Sequence, residues 1–290
     1  MDLILERLRE AGFDAVSADP APGGVVAMAA MATLRDGSRV FAKTLRGAGE
    51  DLFEVEAEGL RVLRERGGAT TPEVLAVTPD LLVLEPLCPR VDDSERFWED
   101  LARTVAAVHA VAGERFGWHR DGWLGRLRQD NTWDEDGHTF FAQRRILRWL
   151  PEPLVEAAFD GDERRSLERL CAALPELLPP QRPVLTHGDL WRENILADPA
   201  GGPALIDPAV SYSWAEADLS MLWGSPRPPA SDRFFAAYAE AAHLPGGWQE
   251  RMRVFHLREL LSCIAHDDGG RDAAQAVREI IAPFALRRSP

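Results

Sequence analysis

The spacing of apolar and polar residues separates a strand-rich beginning of the chain from a helical remainder. Residues 14–45 alternate between apolar and polar positions, and the short apolar runs Val74–Val77 and Leu81–Glu85 also predict strands. Between these groups, apolar side chains recur at helical spacing over residues 50–66, and Gly67 follows. The order of three strands, one helix and two strands predicts a small β-rich lobe.

Beyond residue 93, apolar side chains recur mostly at helical spacing. Helices are predicted over residues 94–112, 137–150, 161–174, 231–242, 247–265 and 270–284. The chain is therefore predicted to have an α+β fold with a β-rich N-terminal lobe of residues 1–86 and a mostly helical C-terminal lobe of residues 87–290. With 290 residues and 46% hydrophobic content, it is long enough to bury a large core.

The net charge and the cysteine pattern limit which binding partners and which cellular compartment are expected. The formal net charge of −14 argues against nucleic acid and against an anionic membrane as partner, and no run approaches the roughly 18 apolar residues of a membrane span. Residues 1–8 have the pattern of an amphipathic helix rather than a signal peptide. Cys88, Cys171 and Cys263 show no metal or redox spacing, so a reducing cytoplasm is predicted, while the oligomeric state stays open.

One short segment carries the residue types of a phosphoryl-transfer site. It reads His187-Gly188-Asp189-Leu190-Trp191-Arg192-Glu193-Asn194. A second acid, Asp207, ends an apolar run thirteen residues after Asn194. The spacing His-x-Asp-x-x-x-x-Asn is that of the catalytic loop of kinases. In such a loop one carboxylate meets the attacking hydroxyl, while an amide oxygen and a second carboxylate hold the metal that neutralises the phosphates.

Turn signals bring the two predicted metal ligands together. Residues 194–197 and 203–206 have the composition of short strands, and residues 198–202 between them are turn formers. A hairpin there returns Asp207 to the neighbourhood of Asn194, so that two oxygen ligands face one point, as a magnesium site requires. A buried His and Asp on an ordinary loop is the alternative, which the complete motif with its hairpin disfavours.

Lys43 is the single lysine among 33 basic residues. Since Arg is used everywhere else, this position indicates a need for the compact charge and slim stem of Lys. Lys43 ends an alternating strand that resembles the Val-Ala-Ile-Lys strand of kinases, whose Lys contacts the nucleotide phosphates. Chance survival of a lysine on a surface strand is the alternative.

A kinase lysine of this kind is held by a carboxylate on a nearby helix. In the helix predicted over residues 50–66, Glu56 lies four residues before Leu60 and therefore borders the apolar face. Glu56 is predicted to pair with Lys43. Glu54 and Glu58 are the competing candidates.

These motifs together resemble the fructosamine kinase (ketosamine 3-kinase) family, within the aminoglycoside-phosphotransferase-like kinases. The resemblance spans nearly the whole chain and is carried by residues 187–191 with Asn194, 206–209, Tyr212, Glu216, Asp218, Leu219, 116–118, 125–133, 140–141 and Arg144. The His-Gly-Asp pattern alone fits choline, homoserine or aminoglycoside kinases equally well. The Asp-Leu-Trp, Asp-Pro-Ala and Gln-x-Asn-x-Trp elements favour the fructosamine kinases among these families. The resemblance implies a protein-kinase-like fold in which residues 1–86 form the nucleotide-binding lobe and residues 87–290 the catalytic and substrate-binding lobe.

The resemblance also implies a role for each residue of the motif. Asp189 would accept a proton from the sugar hydroxyl or orient it. Asn194 and Asp207 would ligate Mg²⁺, and Lys43, held by Glu56, would contact the α- and β-phosphates of ATP.

Four further positions are implied as nucleotide contacts or as structural support. Glu85 and Leu87, in the linker between the lobes, would contact adenine through main-chain groups only. Asp218 would brace the catalytic loop through backbone N–H groups, and His187 would give further structural support.

Three assignments stay open between two interpretations. Trp191 would either stack on the sugar or pack against protein. Glu216 would either bind sugar hydroxyls or cap the helix that begins there, since acids are favoured at helix starts. Gly23 and Gly24 would either approach phosphate closely or form a hairpin turn, because the region lacks the Gly-x-Gly-x-x-Gly pattern of kinases.

The substrate is predicted to be small or to present an exposed hydroxyl. Only ten residues separate Asp207 from Asp218, which leaves no room for the peptide-docking activation loop of protein kinases. Three functions stay open: an ATP-dependent kinase for the 3-hydroxyl of fructosamines and other ketosamines, free or on a glycated protein amine, in deglycation repair; a kinase for another small alcohol or amino sugar, of the choline or aminoglycoside type; or a nucleotide-binding module without catalysis.

Overall fold

The computed structural model describes residues 1–21, 27–45, 51–90 and 94–285. The chain forms two compact units. The first unit comprises residues 1–111, 189–209 and 228–243, and the second comprises residues 112–188, 210–227 and 244–290. Each unit is therefore assembled from stretches that are distant in sequence. The functional division of the chain at residues 86 and 87 stays a prediction.

A five-stranded antiparallel sheet forms the N-terminal part of the first unit. Its elements and the adjoining helices are α1 (Asp2–Glu10), β1 (Ala15–Pro20), β2 (Met28–Leu34), β3 (Arg39–Thr44), α2 (Leu52–Glu65), β4 (Val74–Thr78), β5 (Leu81–Leu84) and α3 (Glu95–Ala110). The strand order is β1-β2-β3-β5-β4, which places β3 at the centre. The predicted order of three strands, a helix and two strands is confirmed.

Different helices cover the two faces of this sheet, because side chains alternate along a strand. Val40 of β3 belongs to a buried cluster with Leu8 of α1. The next residue, Phe41, packs on a separate cluster that contains Phe53 of α2. Lys43 follows Phe41 by two positions, so it lies on the α2 face of the central strand.

A short hairpin completes the sequence motif within the first unit. Its strands are Ile195–Ala197 and Pro203–Leu205, paired antiparallel, and we call it the 195–205 hairpin. Two backbone hydrogen bonds of 2.9 and 3.0 Å join Ala197 to Cys88, in the segment that follows β5. The hairpin is thereby tied to the sheet-bearing part of the same unit.

The first unit also contains a helix from late in the chain, Asp232–Ala242. It packs on α3, where His109 Nδ1 and the Tyr238 hydroxyl lie 2.6 Å apart in a buried hydrogen bond. Two short 3₁₀ turns, Arg192–Asn194 and Pro229–Ser231, lie in the same unit.

The second unit is mostly helical. Its α-helices are Gly137–Phe140, Pro153–Ala158, Gly161–Ala172, Leu174–Leu177, Ala215–Gly224, Trp248–Phe255, Leu257–His266 and Gly270–Ile281. Two antiparallel strand pairs are Gly122–Leu124 with Leu127–Gln129, and Val184–Thr186 with Ser211–Ser213. Trp214 is 1% exposed and contacts the rings of Phe116, Phe141 and Phe255, so an aromatic cluster forms part of the core. Among the described residues, no helix is both long enough and apolar enough to cross a lipid bilayer.

Several predicted boundaries are wrong in detail. The single helix predicted over 137–150 is a four-residue α-helix, Gly137–Phe140, followed by a π-helix, Phe141–Ile146, and a 3₁₀ turn, Leu147–Trp149. The helix predicted over 247–265 is two helices that meet at His256. Asn194 lies in a 3₁₀ turn rather than in a strand. Periodicity alone does not report such breaks, because the apolar face continues across them.

Candidate active site

Lys43 lies between two carboxylates of the first unit. Its ammonium nitrogen is 2.8 Å from Glu56 Oε1, and it also forms an ion pair with Asp207 Oδ1. Glu56, rather than Glu54 or Glu58, meets Lys43 because it borders the face of α2 that packs on the sheet. The direct contact with Asp207 joins residues 164 positions apart and was not predicted, since no local pattern in the sequence reports it.

Asp207 is positioned by the end of the 195–205 hairpin. The register that pairs Leu205 with Ile195 continues one step further, where Ile206 N–H donates to the Asn194 carbonyl over 3.1 Å. Asp207 follows directly with a φ of 52°, in the left-handed region that few non-glycine residues adopt. From this conformation the Asp207 carboxylate forms its ion pair with Lys43.

The ion-paired cluster has perturbed protonation equilibria. Burial by itself would lower the pKa of Lys43, but the carboxylates of Asp207 and Glu56 outweigh it and raise that pKa above its ordinary value. Burial raises the pKa of Glu56 to about 7, against the lowering effect of the Lys43 charge. The lysine is therefore a fixed positive charge at neutral pH.

The amide of Asn194 is oriented by Asp189. Asn194 is 5% exposed, and its Nδ2 donates to the carbonyl oxygen and to Oδ2 of Asp189, at 2.8 Å each. Its Oδ1 receives no hydrogen bond from the described residues. The amide oxygen is thus left for another ligand, while the Asp189 carboxylate is held in place.

These oxygen atoms suit a magnesium ion. Asn194 Oδ1 and the Asp207 carboxylate, whose side chain is 30% exposed, are the hard oxygen donors that Mg²⁺ prefers. Mg²⁺ is commonly held by one or two carboxylates, with waters and substrate phosphates as its other ligands. Within the described ranges, no group of three or more His, Cys, Asp and Glu side chains could hold a metal by itself. The residues present therefore fit an ion that shares its coordination with phosphate.

Asp218 secures the turn that precedes Asp189 in the chain. In the second unit, its Oδ2 accepts from the His187 backbone N–H at 2.6 Å, and its Oδ1 accepts from the Gly188 N–H at 2.8 Å. Gly188 has a φ of 80°, which a residue with a Cβ would adopt only at a cost. His187 is 1% exposed, and Asp218 is 2% exposed. Both residues are placed as parts of the interior.

In the segment after β5, residues 85–87, two main-chain groups form no hydrogen bond with any described residue. The Glu85 N–H donates to the Glu73 carbonyl at 2.9 Å. The Glu85 carbonyl oxygen and the Leu87 N–H, in contrast, form no hydrogen bond with any described residue. One acceptor and one donor on residues two positions apart match what an adenine edge requires.

The sequence left open whether Trp191, Gly23 and Gly24 contact a ligand. Trp191, two residues after Asp189, is 38% exposed, so its ring is accessible for stacking. Gly23 and Gly24 lie outside the described residues, so their predicted approach to phosphate stays an expectation.

The placement of Glu216 fits neither interpretation made from the sequence. It is fully buried, and it makes no side-chain cap to the helix Ala215–Gly224. Its two oxygens accept from Arg251 at 2.7 and 2.8 Å and from Gln181 at 3.0 Å. This saturated carboxylate leaves no exposed oxygen for a sugar hydroxyl. The structure therefore favours a structural role for Glu216.

Comparisons with known proteins identify the family of the chain. The family model described as fructosamine kinase matches residues 2–282. A probable ketoamine kinase of Enterococcus faecium is 31% identical over 216 residues, which is 72% of this chain and 75% of the relative. A chloroplastic protein-ribulosamine 3-kinase of Oryza sativa subsp. japonica is 27% identical over 253 residues, which is 83% of this chain and 71% of the relative.

A solved structure extends the similarity to the fold. The crystal structure of a "putative fructosamine-3-kinase" from Thermobifida fusca is 30% identical, with a TM-score of 0.84, over 96% of this chain and 99% of that one. The α+β, kinase-like fold predicted from the sequence is confirmed. The chain is a phosphotransferase that belongs to the fructosamine kinase family.

Proposed function

We propose that the protein transfers the γ-phosphate of ATP to the 3-hydroxyl of fructosamines and related ketosamines, with Mg²⁺ as cofactor. The observation that carries the proposal is the convergence, within one unit, of Lys43, Asp207, Asn194 and Asp189. Phosphoryl transfer depends on positioning and charge stabilisation, which these four side chains supply.

The nucleotide would be held by main-chain and charged groups of the first unit. The Glu85 carbonyl and the Leu87 N–H suit the adenine edge, because described residues do not use them. Lys43 carries a fixed charge for the phosphates and keeps Glu56 as its anchor when its contact with Asp207 is exchanged. Gly23 and Gly24 are proposed as further phosphate contacts.

Magnesium would be held by Asn194 Oδ1 and Asp207. When bound, the ion neutralises charge on the phosphate oxygens. The contribution of the chain itself is orientation, since the amide nitrogen of Asn194 is fixed on Asp189 and the Asp207 turn is fixed by the hairpin.

Asp189 would act on the acceptor hydroxyl. Its carboxylate is held at Oδ2 by Asn194 Nδ2, so it can orient the hydroxyl and take its proton. The new P–O bond forms to the sugar oxygen while the bond from the γ-phosphorus to ADP breaks, and ADP leaves. Trp191 is accessible two residues away and is proposed to stack on the sugar ring. Glu216 is not proposed as a sugar ligand.

The family and the short segment between Asp207 and Asp218 support the proposed substrate class. Ten residues between Asp207 and Asp218 leave no peptide-docking loop, which favours a sugar that projects from an amine. A ketosamine on a protein lysine would qualify, and phosphorylation there would serve deglycation repair. All three cysteines are free thiols, which suits a reducing compartment such as the cytoplasm.

The proposal is tested with the full chain, ATP and Mg²⁺ against a fructosyl amine, a ribulosyl amine, choline and an aminoglycoside. We expect nucleotide consumption with the two ketosamines, and ³¹P NMR should place the phosphate on the 3-hydroxyl. Turnover of choline or the aminoglycoside alone would reject the ketosamine assignment. Nucleotide binding without turnover of any acceptor would reject catalysis.

A glycated protein distinguishes free from protein-bound substrates. The full chain is offered the same ketosamine as a free amino-acid derivative and on a glycated carrier protein. A larger kcat/KM with the carrier would support deglycation repair. Turnover of the free derivative alone would argue against it.

A further inference from the structure

Two buried arginines of the second unit line one small cavity. Arg145 is 3% exposed, Arg258 is 6% exposed, and both line a cavity of about 10 Å³. That volume has room for about one species the size of a water molecule. Burying a guanidinium costs several kcal/mol unless an opposite charge or a full set of hydrogen bonds compensates it.

Neither arginine has a carboxylate partner among the residues that the structure describes. Arg145 donates to the Asp130 and Arg144 carbonyls, to Asn131 Oδ1 and to Ser211 Oγ, all of which are neutral oxygens. Its guanidinium also lies 4.4 Å from the centre of the Phe140 ring.

The partners of Arg258 are likewise neutral. Arg258 donates to Gln129 Oε1 at 2.7 Å and to Met221 Sδ at 3.2 Å. The neighbouring arginines differ in this respect, since Arg144 pairs with Asp130 and Arg148 pairs with Glu152.

The two buried charges also repel each other. Burial lowers the pKa of Arg145 well below its ordinary value, and the nearby charge of Arg258 lowers it further, while the charge of Asp130 opposes the shift. Asp218 is an acid in the cavity wall, and its oxygens accept from the His187 and Gly188 N–H groups. With two cations and one carboxylate, the cavity wall has a net charge of +1.

Hydroxyl groups in the wall supply neutral donors as well. Ser213 is 4% exposed, and its side chain forms no hydrogen bond with any described residue. Ser211 Oγ accepts from Arg145, so its own O–H is left to donate. A water-sized cavity beside the Arg258 guanidinium and two hydroxyl groups offers hydrogen-bond donors to an anion from several sides. The terminal N–H groups of Arg145 already donate to protein oxygens, so Arg145 attracts an anion by its charge.

We propose that this cavity is a binding site for one small monovalent inorganic anion, chloride in the cell, held between Arg145 and Arg258. The anion neutralises the wall and accepts from the hydroxyl of Ser213. It stabilises the part of the second unit where Asp218 holds the His187-Gly188 turn, because a ligand that binds the folded state alone raises stability with its concentration. A single water is the competing occupant.

The first test measures Tm of the full chain while chloride replaces gluconate at constant ionic strength, because gluconate is too large for the cavity. We expect Tm to rise by a few degrees and to saturate, with bromide acting like chloride. A Tm that is independent of halide would overturn the proposal.

Variants show whether the response belongs to this cavity. Ser213→Ala should fold and lose most of the chloride-dependent rise, and Arg258→Gln should abolish it. Arg278→Gln is the matched control, since its guanidinium pairs with Glu163 outside the cavity. That control should lower Tm while keeping the rise, and equal chloride responses in all variants would assign the effect to other parts of the protein.

Diffraction supplies a measurement that depends on no variant. Crystals of the wild-type chain soaked in bromide should give an anomalous peak inside the cavity, within hydrogen-bonding distance of the Arg258 guanidinium. A water at that position without anomalous signal would overturn the proposal.

Discussion

Lys43 in the first unit and Arg145 in the second are both buried cations, but their surroundings differ in kind. Lys43 contacts two carboxylates, one of which, Asp207, has a side chain that is 30% exposed. Arg145 contacts carbonyl, amide and hydroxyl oxygens and an aromatic ring. A cation held by a partly exposed carboxylate can exchange that partner for a ligand, whereas a cation held by interior dipoles keeps those partners, and an anion that neutralises it must be buried beside it.

The acids show the same division. Asp189 and Asp207 are partly exposed, and they lie beside an amide oxygen that no described residue uses. Glu216 and Asp218 are at most 2% exposed and accept several hydrogen bonds from within the second unit. The motif therefore contains two kinds of acid. Asp189 and Asp207 are partly exposed and can reach a ligand, whereas Glu216 and Asp218 are buried and accept hydrogen bonds that hold the structure.

The largest effect is expected for Asp189→Asn. Loss of the base should lower kcat by a factor on the order of 10² to 10⁴ while nucleotide affinity and Tm stay near wild type. Steady-state ADP release, equilibrium nucleotide binding and thermal unfolding check this. Asp100→Asn, at a partly exposed acid on α3, is the control and should leave kcat unchanged. Near-normal turnover in Asp189→Asn would show that the base is misassigned.

Glu216→Ala tests the structural side of the comparison. Removing this carboxylate leaves Arg251, whose side chain is 11% exposed, without its partner and should cost about 3 kcal/mol of unfolding free energy. Denaturant unfolding measures the loss, and the folded fraction should keep its KM for sugar. Glu156→Ala, which removes an exposed partner of Arg164, should cost less than about 1 kcal/mol. A raised sugar KM with unchanged stability would restore Glu216 as a substrate ligand.

Lys43→Arg asks whether charge alone suffices between the two carboxylates. The planar fork of Arg does not fit the buried slot of a slim ammonium, so kcat/KM for ATP should fall by about tenfold or more. Initial rates at varied ATP measure this effect. Arg39→Lys, at the exposed start of the same strand, is the reverse control. Unchanged kinetics in Lys43→Arg would show that position 43 does not require a lysine.

The smallest expected effect is a pH dependence of the second unit. Burial lowers the pKa of His256 below its ordinary 6.5, although Glu259 opposes the shift. The neutral ring is therefore the form that the fold favours. The unfolded chain takes up a proton first, so stability is lost as pH falls from about 6.5 towards the folded pKa, by at most about 1.4 kcal/mol per pH unit.

Thermal unfolding between pH 8 and pH 5 checks the role of His256. The wild-type Tm should fall more steeply below pH 6.5 than that of His256→Gln, which does not titrate. Parallel curves would mean that this ring makes no contribution to the acid sensitivity.

Local patterns predicted much of the first unit. Alternation and turn residues gave the strands and the 195–205 hairpin, because strand pairing across a short turn is encoded by nearby residues. The helical face of α2 selected Glu56 as the partner of Lys43 in the same way. Breaks in the helices at Phe141–Ile146 and at His256 were not predicted, because packing rather than periodicity decides where a helix deforms.

By itself, the sequence determined the residue types of the site and their order along the chain, because spacing in a loop, a hairpin and a helix face is a local property. Only the tertiary structure decided that Lys43 pairs with Asp207, that Glu216 forms a buried ion pair with Arg251, and that two arginines line one cavity. These contacts join residues far apart in the chain, and their energies depend on burial and on the other partners present, which no local spacing records.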